Sequence, residues 1–96
     1  MKVITQIHYF FLIQKKGEAF PVYITFSTIH EWSFFSYEYD HRGRMTNSIR
    51  YSSIEEFFKS LNEFKKEEVY DLGSVTITIS PTGNVTSERK EKHKLL

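Results

Sequence analysis

From Ile7 to Phe26, large apolar side chains occupy alternate positions on either side of a Lys16-Gly17 pair. That period of two marks two strands of a hairpin, and glycine supplies the positive φ of a tight turn. A two-residue turn pairs Lys15 with Glu18, then Ile13 with Phe20, Phe11 with Val22, Tyr9 with Ile24 and Ile7 with Phe26. A slip of one residue would set His8 and Gln6 against Ile24 and Phe26, so burial of one face selects the two-residue turn.

A second hairpin is expected around "DHRGR". The loop His41-Arg42-Gly43 pairs Asp40 with Arg44, opposite charges, and places Gly43 where a left-handed residue is needed. In this register one face carries Tyr39/Met45, Phe35/Ile49 and Ser33/Tyr51. The other carries Glu38/Thr46, Ser36/Ser48 and Phe34/Arg50, with Trp32 beyond them. The first is the expected core face.

The period then changes to that of a helix. Ile54, Phe57, Phe58, Leu61 and Phe64 fall on one helical stripe, and Ser52 or Ser53, each three residues ahead of a glutamate, can open a capping box. Glu67 and Glu68 sit badly at the negative end of the helix dipole, so the helix is expected over 53–66. Val75, Ile77 and Ile79 alternate with Ser and Thr as in a half-buried strand. Pro81-Thr82-Gly83 turns the chain, and Val85 returns opposite Ile79.

The sum is an α+β domain: one antiparallel sheet, elements in the order β-β-β-β-α-β-β, and one helix packed on one face. Residues 1–88 form a single globular domain, and the run "RKEKHKLL" is read as a flexible charged tail over 89–96. With 96 residues, 40% hydrophobic, there is one core and no room for a second.

The helix covers one face, expected to bear Ile7, Tyr9, Phe11, Ile24, Phe35 and Ile49. The opposite face then carries Ile4, His8, Phe10, Leu12, Tyr23, Ile29, Trp32 and Phe34. A large apolar surface of that kind usually marks a binding site, and Trp, Tyr and Arg dominate binding energy in such places. Arg50, opposite Phe34, can lay its guanidinium over the ring. The candidate partner-binding residues are therefore Trp32, Phe34, Arg50, Phe10, Tyr23 and His8, with Asp40, Arg42 and Arg44 at the hairpin tip as a polar rim.

Charge and motif content narrow the classes. Thirteen Lys+Arg against 12 Asp+Glu give a formal charge of +1, too even for a non-specific nucleic-acid or membrane binder. There is no cysteine, hence no disulfide framework or thiolate metal site. His8, His30, His41 and His93 lack the spacing of a zinc set. No glycine-flanked serine elbow or phosphate loop is present, and the glycines at 17, 43, 73 and 83 each read as a turn. Neither an enzyme, a metal site nor a cofactor is expected. Gln6 and His8 interrupt the apolar N-terminal patch and no small-residue cleavage site follows, so a cytoplasmic protein is expected. Many Ile, Lys, Phe and Tyr beside a single Ala suggest an AT-rich bacterial or phage gene.

These features point to a non-enzymatic protein-binding module, of the kind that inhibits a bacterial effector in toxin immunity or phage anti-defence. Two alternatives use the same surface. One is a single-stranded nucleic-acid binder stacking bases on the aromatics; the other is a homodimer that buries the face.

Overall fold

The computed structural model describes residues 3–30, 33–62 and 68–95. The elements are β1 (Ile4–Gln14), β2 (Val22–His30), β3 (Ser33–Tyr39), β4 (Met45–Tyr51), α1 (Ile54–Leu61), β5 (Glu68–Ile79) and β6 (Val85–Leu95). The six strands form one antiparallel sheet in the order β4-β3-β2-β1-β5-β6. This is the α+β architecture that the alternation and the single helical stripe predict. Trp32, Phe64 and the expected end of the helix near Lys66 lie outside the described residues.

The first hairpin keeps the expected faces but not the expected register. Ile13 pairs with Val22, Phe11 with Ile24 and Tyr9 with Phe26, a shift of two residues that preserves which side chains share a face. The turn at Gly17 (φ 84°) forms, closed by the Glu18 N–H donating to the Lys15 carbonyl at 3.2 Å. The strands do not resume immediately. Pro21 has no N–H to give a ladder, and Phe20 turns outward to stack on His41 at 3.9 Å between ring centroids. The Gln14 side chain instead braces the loop, its amide donating to the Glu18 carbonyl at 2.9 Å.

The second hairpin starts as expected and then departs. The Asp40 N–H donates to the Arg44 carbonyl (2.9 Å), the Gly43 N–H to the Asp40 carbonyl (3.0 Å), and Tyr39 pairs with Met45. A bulge between Glu38 and Tyr39 then shifts the register by one, so that Ser36 pairs with Ile49, Phe35 with Arg50 and Phe34 with Tyr51. The extra residue is Thr46 on β4, which reverses the faces of β4 beyond it and brings Ile49 and Tyr51 onto the side of Ser36 and Phe34. Phe34 joins the helix side, 9% exposed and stacked parallel to Phe26. Phe35 and Tyr39 go to the other. The expectation that Phe34 lies on the open face and Phe35 in the core is thus corrected.

Helix α1 begins at Ser53, whose hydroxyl accepts from the Glu56 N–H (3.2 Å) while the Glu56 carboxylate accepts from the Ser52 N–H (3.4 Å). Phe57 and Leu61 are buried and Ile54 packs half-buried against the core. The third position of the stripe, Phe58, is 41% exposed, at an edge-on angle to Tyr9 and Phe11. The core, sandwiched between α1 and the sheet, is Phe11, Ile13, Ile24, Phe26, Phe34, Phe57, Leu61 and Val69.

The last hairpin turns where expected, with Ile79 opposite Val85 and the Gly83 N–H donating to the Ser80 carbonyl. It does not stop at Glu88. β6 runs to Leu95 and stays paired with β5, from Thr76/Glu88 to Tyr70/Leu95, so residues 89–95 form an edge strand rather than a flexible tail. Gly73 is likewise no turn residue. It sits within β5 at a bulge, φ 108°, with the Asp71 carboxylate accepting its N–H at 2.9 Å.

Candidate functional site

Alternation and register assign the sheet face away from α1. Beginning at the β4 edge it carries Arg50 and Ser48, then Phe35, Tyr37 and Tyr39 on β3, and Tyr23 and Ile29 on β2. It continues through His8, Phe10 and Leu12 on β1 to Val75 and Ile77 on β5. Among the described residues the one helix lies on the other side of the sheet. Most of these side chains are nevertheless half-buried, while Tyr23 is exposed.

Aromatic runs in this sequence arise because β3 presents rings to both sides. Phe34 enters the core, whereas Phe35, Tyr37 and Tyr39 tile the open face next to Tyr23, the cross-strand neighbour of Tyr39. Arg50 lies over Phe35, its guanidinium carbon 5.7 Å from the ring centroid. The expected cation–π partner was Phe34; the bulge substitutes its neighbour. His8 pairs with Ser27 along the ladder, and its Nδ1 is 2.7 Å from the Ser27 hydroxyl, which is buried between strands. Of the candidates named from sequence, His8, Phe10, Tyr23 and Arg50 share this face. Phe34 does not, and Trp32 lies outside the described residues. Sequence reasoning assigned Phe35 and Tyr39 to the core and did not weigh Tyr37; the run of odd-numbered aromatics 35, 37 and 39 is the signal that could have found them.

Asp40, Arg42 and Arg44 cluster at the exposed tip of the β3–β4 hairpin. The Asp40 carboxylate accepts from the backbone N–H of Arg44 and of Arg42, both at 2.9 Å, and from Arg44 Nε at 3.2 Å. These contacts, led by the Arg44 N–H, hold the Asp40 carboxyl below its ordinary value. A carboxyl depressed on folding stabilises the folded state above its unfolded pKa, and that contribution is lost as pH falls through the folded one. The midpoint difference between wild type and Asp40→Asn should therefore be full at neutral pH. It should close as pH drops below about 4, in thermal melts recorded by circular dichroism.

Among the described residues no group of three His, Asp or Glu is placed to hold a metal ion, and no helix is long and apolar enough to cross a membrane. The arrangement offers stacking surfaces, hydroxyls and a guanidinium. Comparison with protein-family models, curated proteins and solved structures finds no match.

Proposed function

We propose that this protein is a non-enzymatic binding module that docks another protein on its open aromatic face. One observation carries the reading: Phe10, Tyr23, Phe35, Tyr37 and Tyr39 share the side of the sheet opposite α1. Tyrosine and arginine are the residue types on which protein interfaces concentrate energy. His8 and Arg50 supply polar contacts within the patch, and Asp40, Arg42 and Arg44 the rim. The small size and residue bias favour a cytoplasmic inhibitor of a bacterial effector as the form this takes. The same rings could stack single-stranded bases, but a near-neutral chain argues against it.

The test is a Phe35→Ala, Tyr37→Ala double variant. It gives up the Arg50 contact and some half-buried surface, so its unfolding free energy should fall by no more than about 2 kcal/mol. Capture of the native partner from host extract should be lost, since a central aromatic hot spot contributes about 2 kcal/mol or more each. Retained capture by a folded double variant would overturn the reading. So would tight, salt-sensitive binding of single-stranded oligonucleotides in an anisotropy titration, which would favour the nucleic-acid alternative.

A further inference from the structure

The sheet has two edges, and they are built differently. β6 is exposed throughout and carries Glu88, Arg89, Lys90, Glu91, Lys92 and Lys94, the charged edge by which natural sheets discourage pairing with another strand. β4, at the other edge, holds one charge, Arg50, and no proline. Its bulge lies near the hairpin tip, and from Asn47 to Tyr51 it pairs regularly with β3. Alternate residues of such a strand turn unpaired N–H and C=O groups outward. On its helix side Ile49 is 43% exposed beside a hollow of about 180 Å³ whose walls combine apolar side chains such as Ile24 and Phe57 with the polar Ser36, Glu38, Asn47 and Ser60.

We infer that β4 is a self-pairing edge, at which a second copy of this chain adds antiparallel about a twofold axis through Ile49, joining two six-stranded sheets into one. Any register centred on a residue sets outward-facing groups against outward-facing groups. This one also uses only the regular part of the strand. Ile49 of each copy meets its counterpart, Ser48 meets Arg50 and Asn47 meets Tyr51, so no like charges are opposed. Ile49, Asn47 and Tyr51 share the helix side, and the incoming side chains extend the roof of the hollow. A second copy is the occupant because β4 is complementary to itself in this register, whereas β6 presents a dense and mostly positive run of charge to any strand. Five paired positions bury far less than a standard interface of about 1,600 Å², so the dimer is weak and reversible. The contact is at the rim of the sheet: it engages Ser48 and Arg50 at the border of the open face and leaves Phe10, Tyr23, Phe35, Tyr37 and Tyr39 free.

Sedimentation equilibrium of the full chain over a concentration series is the test. The apparent mass of wild type should climb from 11.5 kDa toward twice that value. Ile49→Lys and Ile49→Glu each place like charges on the axis and should weaken association at least about tenfold. An equimolar mixture of the two, with opposite charges facing, should recover it. Ser48→Lys, which opposes a lysine to Arg50 of the second copy, gives the same loss from a side chain on the other face and serves if an Ile49 variant fails to fold. Amide exchange over residues 47–51 should slow with concentration in wild type only. A wild type that stays monomeric overturns the inference, as do Ile49 variants that associate like wild type, or concentration-dependent protection on β1 instead of β4.

Discussion

Gly73→Ala is expected to cost about 3 kcal/mol, the upper end of what a strained backbone position carries, and to loosen β6 along most of its length. Gly73 has φ 108°, where an L side chain is strained whatever the space around it. Here there is no space either. A Cβ on Gly73 would fall 1.9 Å from the Lys90 carbonyl oxygen and 2.9 Å from its carbon, backbone atoms of the paired strand. The strand must move, and it is tied to β5 on both sides of the bulge, through Ser74/Lys90 and Asp71/Lys94. Gly83→Ala is the control, since Gly83 also has positive φ but nothing lies within 4 Å of its added Cβ. It should cost about 1–2 kcal/mol. Denaturant melts of the two variants should therefore separate clearly, and equal losses would show that β5 and β6 do not approach at Gly73 as described.

The same glycine shows where the sequence stops being legible. Strand and helix identities follow from periodicity alone, because each element buries one side and repeats its apolar residues at its own spacing. The hairpin tips at Gly43 and Gly83 and the Ser53–Glu56 cap are equally local, fixed by residues in contact with one another. The bulges are not local. Gly73 looks like a turn glycine until β6 is seen to pass it at close range, and the one-residue shift at Glu38/Tyr39 is marked by no glycine or proline. That shift decides whether Phe34 or Phe35 enters the core, and hence which rings form the open face. Either ring would satisfy a hydrophobic pattern. Phe34 goes to the core because Ser36 lies between Phe26 and Ile49, a pairing between strands that the pattern of one strand cannot encode. The sequence pattern places the β1 and β2 members on the open face, and the even shift in the first hairpin keeps them there. The odd shift in the second hairpin exchanges its β3 members.

Phe57→Ala should remove most of what holds the helix to the sheet. Phe57 is 1% exposed and lies flat on Phe26, centroids 4.0 Å apart and planes 13° from parallel. Phe11 and Tyr51 close on it from either side at 5.6 Å. An eight-residue helix has little stability of its own, since isolated helices below about 12–15 residues are marginal in water. Its position rests on Phe57 and Leu61. Deleting a buried phenylalanine ring costs about 3–5 kcal/mol, against a total of about 5–15 kcal/mol for a typical domain. At about 4–8 °C per kcal/mol for a chain near this size, the thermal midpoint should fall by at least about 12 °C. Phe57→Leu, which keeps most of the volume, should lose much less. A drop of only a few degrees for Phe57→Ala would mean that α1 does not anchor the core. The open face lies on the other side of the sheet, so a partner that docks there should bind Phe57→Ala in proportion to the folded fraction. A loss of binding beyond that fraction would place part of the partner's site on the helix side.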